Sequence, residues 1–89
     1  MTGRELLAWN LRALRTARGQ SQEALAADTG LDRAYVSEIE RGLGNASLDV
    51  LDRLAACFSV PVSELLREPD GGAAAPPPPL RPGRKPRAR

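Results

Sequence analysis

An all-α domain of five short helices is the fold class that this 89-residue sequence predicts. Three observations carry the prediction. Apolar residues recur at helical spacing: Leu7, Leu11 and Leu14 stand at i, i+4 and i+7, and Leu48, Leu51, Leu54, Ala55 and Phe58 repeat the pattern further on. Capping residues and glycines punctuate the intervals, with Gly19, Ser21, Gly30, Asp32 and Ser47 at the boundaries. Between these marks, residues 21–42 read as two short helical patterns joined by a glycine turn.

The first helix is expected over Arg4 to Arg18, with Arg12, Arg15 and Arg18 as a second stripe beside the leucines. Gly19 closes it as a C-cap. Ser21 caps the second helix, Gln22 to Asp28, by accepting from an otherwise orphaned backbone N–H. That helix turns Leu25 to one face and surrounds it with Ala24, Ala26 and Ala27. Ala26 lies close to the bend, where a larger side chain would force the two helices apart. Gly30 supplies the positive φ of a tight interhelical turn. Asp32 is expected to cap the third helix, about 32–41, with its charge matched to the positive helix end. Val36 and Ile39 form the buried face of that helix. A loop follows over Gly42 to Asn45. Ser47 then caps a fourth helix, with Asp49 in its first turn. Pro61 suits the first turn of a fifth, carrying Leu65 and Leu66.

Composition narrows the function. A chain of this length is one domain, too small for a large catalytic cleft. It has no histidine and one cysteine, Cys57, which argues against disulfides, zinc sites and most acid–base or nucleophile–base pairs. The expectation is a protein that is not an enzyme, with no catalytic residues, no metal and no cofactor. Met1 is followed by a polar, charged run and no apolar stretch is long enough to span a bilayer, so a cytoplasmic protein is expected.

The net charge of +2 is unevenly spread. Residues 1–70 hold eight basic and eleven acidic side chains, a net −3. Residues 71–89 hold Arg81, Arg84, Lys85, Arg87 and Arg89 and no acid, a net +5. The sequence predicts a folded domain over 1–68 and a disordered, Pro-rich basic tail over 69–89, because the tail has too little apolar surface to offset its ordering entropy. Pro76 to Pro79 favour polyproline II. The tail has three readings: a nonspecific polyanion-binding arm, a docking segment for a protein partner, or an inert solvated end.

Two short helices about a glycine turn form the pattern of a helix-turn-helix, whose second helix enters the DNA major groove. With Val36 and Ile39 inward, Ala34, Ser37, Glu38 and Arg41 face outward, flanked by Arg33 and Tyr35. Arg33 suits bidentate contact with guanine, Ala34 contact with a thymine methyl, and Ser37 donation to a base or a phosphate. Glu38 accepts from cytosine N4 in one reading and is a plain exposed carboxylate in the other. Tyr35 either touches DNA or packs on the domain. Gln22 opens the second helix, where free N–H groups favour a phosphate. Arg41 and Asn45 are further phosphate candidates. Arg12 and Arg18 read as solvated helix charges, and Cys57 as a small buried apolar group. Trp9 lies off the leucine face and marks either a partner surface or packing at the domain end. Glu40 falls beside Val36, so its charge needs a partner, and arginine offers a bidentate fork.

The segments NLRALR, SQEALAADTGL, YVSEIERG and NASLDVLDRLA resemble the xenobiotic-response-element type of helix-turn-helix domain, shared with phage Cro and repressor proteins. The resemblance runs from about Leu7 to Leu66. It implies a five-helix lambda-repressor-like domain that binds double-stranded DNA sequence-specifically and regulates transcription as a homodimer on a palindromic operator. It places base readers at Arg33, Ala34 and Glu38, a phosphate contact at Gln22, a buried ion pair at Arg15 and Glu40, and a dimer surface around Val62, Leu65 and Leu66. LDRAYVSEIERG also resembles the controller proteins of restriction–modification systems. The alternative reading is therefore an antitoxin or controller-type protein whose role includes binding a partner protein.

Overall fold

The structure, a computed structural model, describes residues 1–69. Except at Pro69, the tail assigned to 69–89 lies outside the described residues. The domain holds four α-helices: α1 (Gly3–Ala17), α2 (Gln22–Thr29), α3 (Arg33–Glu40) and α4 (Leu48–Phe58). The expected fifth helix is instead a short 3-10 helix, Val62–Leu66. Extended residues bracket it, Pro61 on one side and Arg67 on the other. Its turn is closed by the Glu64 N–H donating to the Pro61 carbonyl at 2.9 Å, an i→i+3 bond. The carbonyls of Leu65 and Arg67 accept from the Asn10 amide on α1, and the Leu65 carbonyl has no α-helical donor because Pro69 lacks an N–H.

Capping chemistry sets the remaining boundaries. Thr2 and Glu5 form a reciprocal capping box, so α1 starts one residue before the expected Arg4. Ser21 Oγ accepts from Ala24 N–H at 3.0 Å, and Ser47 Oγ from Val50 N–H at 3.1 Å. Asp32 differs from expectation. Its backbone occupies the N-cap conformation but its side chain makes no capping hydrogen bond. The carboxylate is exposed to water, so only its charge acts on the helix end. Gly19, at φ 65°, follows the true C-cap Arg18, and Gly19 and Gln20 donate back to the carbonyls of Thr16 and Arg15. Gly30, at φ 75°, closes α2 in the same manner, with its N–H and that of Leu31 on the Ala26 carbonyl.

Eleven buried residues form one core: Leu7 and Leu11 from α1, Leu25 and Ala26 from α2, Val36 and Ile39 from α3, Leu51, Leu54, Ala55 and Phe58 from α4, and Leu65. Leu14 packs at the edge of this cluster. Leu48 does not join it and is 75% exposed. It is the first residue of α4, and helical side chains lean toward the N-terminus, so its side chain overhangs the helix end. Leu65 is fully buried, which removes it from the expected dimer surface, whereas Leu66 is 37% exposed. No helix among the described residues is long and apolar enough to cross a membrane.

At the end of α4, Ser59 takes a left-handed conformation, φ 57°, without being glycine. This conformation costs an L-residue about 1–2 kcal/mol. Ser59→Gly is expected to raise stability by about 0.5–1 kcal/mol, the difference being the added chain entropy of glycine. Chemical denaturation of both proteins checks it; a lower midpoint for the glycine variant would show that Ser59 carries no strain, since only the entropy cost of glycine would remain.

Candidate nucleic-acid interface

Glu40 closes α3 against the interior and is 1% exposed, and Arg15 from α1 is 0% exposed. Arg15 Nε donates to Glu40 Oε2 at 2.5 Å and Nη2 donates to Oε1 at 2.7 Å, a two-pronged contact. The third arginine nitrogen, Nη1, donates to the Gln20 carbonyl at 2.7 Å. Gln22 Nε2 donates to Glu40 Oε1 at 3.2 Å. The Glu40 carbonyl accepts from Arg12. Side chains from α1 and α2 thus converge on one residue of α3.

This arrangement changes the expectation for two residues. Arg12 is half-buried and bound to α3, so it is not a solvated helix charge. Arg18 is exposed, yet it lies over the Phe58 ring at 4.8 Å and donates to the Cys57 carbonyl at 3.1 Å, which ties α1 to the end of α4. Cys57 itself is half-buried beside the core. Trp9 is half-buried.

With Val36, Ile39 and Glu40 inward, α3 turns Arg33, Ala34 and Glu38 to solvent, with Arg41 just beyond its end. Ser37 is half-buried at the edge of this face. Tyr35 packs against the core and its hydroxyl donates to the Asn45 carbonyl at 3.4 Å, which favours the packing role. The Asn45 side chain belongs to an exposed residue. Gln22 is half-buried at the opening of α2, with its amide already on Glu40. Arg33 pairs with Glu23 of α2, Nε to Oε2 at 3.6 Å.

The loop after α3 is held in place from both sides. The N–H groups of Leu43 and Gly44 donate to the Glu38 carbonyl at 3.0 and 3.2 Å. Arg4 Nε donates to the Gly44 carbonyl at 2.9 Å. Gly44 packs so closely on α3 that an added Cβ would sit 2.7 Å from Ile39 Cγ1 and 3.1 Å from its Cα.

Two residues that hold the site in place have no role in the sequence reading. Glu23 is an acid in the first turn of α2, and nothing in the sequence marks it as the partner of Arg33. Asn10 is buried, and its Nδ2 donates to the carbonyls of Leu6, Leu65 and Arg67 at 2.9, 3.1 and 2.9 Å. A polar residue flanked by Leu7 and Leu11 on one helix was the available signal.

A short outward helix, set by a glycine turn against its partner helix and anchored by a buried ion pair, defines a helix-turn-helix domain. The chain belongs to the helix-turn-helix family HTH_3, whose profile matches residues 11–65. It is 44% identical over 66 residues to the Neisseria hypothetical transcription factor of Neisseria meningitidis serogroup B, covering 74% of this chain and 62% of that protein. The aligned segment therefore spans less than two thirds of that relative. The crystal structure of hypothetical transcription factor NHTF from Neisseria superposes with a TM-score of 0.73 at 43% identity, covering 76% of this chain and 78% of that one. The restriction–modification controller protein C.AhdI from Aeromonas hydrophila superposes at 0.66 with 45% identity, covering 70% of this chain and 94% of that one. Control protein C.SmaI of Serratia marcescens is 40% identical over 63 residues, 71% of this chain and 75% of its own length.

Removing one member of the Arg15–Glu40 pair leaves a buried charge without its counterion, which typically costs about 3–5 kcal/mol. Glu40→Ala and Arg15→Ala are each expected to unfold or strongly destabilise the domain, and the double variant to cost much less than their sum. Thermal melts of the three proteins test the coupling; small, additive losses would contradict it. Gly44→Ala is expected to cost about 1–3 kcal/mol through overpacking on Ile39, read from the same melts.

Proposed function

We propose that this protein is a sequence-specific transcriptional regulator that inserts α3 into the major groove of double-stranded DNA. The observation that carries the reading is the division of α3: Val36, Ile39 and Glu40 lock it to the frame, while Arg33, Ala34, Ser37 and Glu38 are left at or near the surface. Arg33 reads guanine, Ala34 contacts a thymine methyl, and Ser37 and Glu38 complete the base contacts. Gln22, Arg41 and Asn45 bind phosphates and set the register. Tyr35 supports the helix and reaches DNA only at its edge.

The regulator acts as a homodimer on a palindromic operator, because one such helix reads only a few base pairs. Val62 and the exposed Leu66 form the pairing surface, next to the segment held by Asn10. A controller role in a restriction–modification system is the favoured subclass. Its support is the similarity to C.AhdI and C.SmaI, which covers most of the length of both. The basic residues 71–89 add nonspecific attraction to phosphate.

The test starts from duplexes selected out of a randomised library by the full-length protein. Arg33→Ala is expected to weaken binding to the selected duplex by about 1–3 kcal/mol and to relax preference at one base pair per half-site. Affinities for single-base variants of that duplex check it. Failure to select any sequence would overturn specific DNA recognition, and an unchanged preference profile would remove Arg33 as a reader.

A further inference from the structure

The side chain assigned here to guanine is held by an acid. Arg33 Nε stands 3.6 Å from Glu23 Oε2, and the two side chains are 45% and 70% exposed. So exposed a pair adds little to folding stability. Its geometry is more informative. Guanine O6 and N7 accept from two guanidinium nitrogens at once. The contact is made at Nε, the nitrogen next to the stem, and is an ion pair longer than a hydrogen bond, so the donors of the two terminal nitrogens are not spent on it. An arginine on this flexible stem has a competing choice, the phosphates beside the groove, which carry no sequence information. Swinging to a phosphate would abandon Glu23 and leave its carboxylate uncompensated near the DNA backbone.

We propose that Glu23 is a specificity-determining positioning residue: it holds Arg33 toward the base edges and away from phosphate. The proposal rests on Arg33 being a base reader. Glu23 thus acts through Arg33 and lowers nonspecific affinity in exchange for discrimination. Its charge in the first turn of α2 also favours the helix end, but that role would alter melting and not sequence preference.

The experiment compares the wild type, Glu23→Gln, Arg33→Ala and the double variant, all full-length. Each is titrated onto the library-selected duplex and onto a duplex of scrambled sequence, at several salt concentrations. Glu23→Gln is expected to bind scrambled DNA about two- to tenfold more tightly at low salt, with a log K against log salt slope steeper by up to about 0.9 as Arg33 gains a phosphate. Affinity for the selected duplex is expected to change less, so the ratio falls. In the Arg33→Ala background, Glu23→Gln should leave both slopes unchanged. If Glu23→Gln raises affinity for both duplexes equally, with or without Arg33, Glu23 is only a repelling charge and the proposal is wrong. If Glu23→Gln changes neither ratio nor slope while Arg33→Ala relaxes base preference, the proposal fails and the reading of Arg33 stands. If Arg33→Ala leaves base preference unchanged, the reading of Arg33 fails and the proposal falls with it.

Discussion

One buried carboxylate organises this domain. Glu40 sits at the end of an eight-residue helix, too short to hold its place by its own hydrogen bonds. An isolated helix of eight residues is marginal in water. Its persistence depends on the burial of Val36 and Ile39 in the core and on the contacts of Glu40 with Arg15 and Arg12 from α1 and Gln22 from α2. A hydrophobic pair of the same volume could match this stability, since buried ion pairs cost much desolvation. A hydrophobic contact is less directional, however. The two-pronged fork fixes the rotation of α3 about its axis as well as its distance from α1, and rotation decides which side chains face outward.

Around that centre, the interface combines a rigid frame with a lightly charged surface. The acids Glu23, Asp32 and Glu38 are exposed on α2 and α3 beside the cations Arg33 and Arg41. A face of this composition has limited general attraction for a polyanion, so discrimination must come from placement. The loop after α3 is correspondingly fixed, pinned by Arg4 and by two backbone bonds to Glu38. Asn10 performs the same service at the far end, where a single amide ties the last turn of the domain to α1.

Much of this was legible in the sequence because local rules and the global fold agree. Ser21 and Ser47 cap as their positions demand, Gly19 and Gly30 take positive φ, and Val36 and Ile39 are buried. The misses have separate causes. The segment after Pro61 starts as a helix should, but Pro69 offers no N–H to extend it, and its end is tied to Asn10, a contact between residues 55 positions apart that no local rule reveals. Leu48 fits the apolar repeat and is still exposed, because periodicity knows the face of a helix and not where the neighbouring element stops. Asp32 has the right residue type and backbone conformation for a cap, yet its side chain makes no capping bond, although Ser21 and Ser47, equally exposed, do. Around α3 the sequence already showed that the charge of Glu40 needs a partner, but the Arg33–Glu23 pair and the Gln22–Glu40 bond required coordinates.

The division of α3 has a consequence for how such a domain can change. Inward positions Val36, Ile39 and Glu40 and outward positions Arg33, Ala34 and Glu38 interleave along the same two turns, yet they answer to different constraints. The inner set is bound by volume and by the charge of Arg15. The outer set has no packing obligation, so substitutions there leave the frame intact. A duplicated copy of this chain could therefore change the outer face of one helix by a few exchanges, without passing through an unfolded intermediate. Glu23 is tied to that freedom: wherever position 33 ceases to be arginine, the acid loses its ion-pair partner.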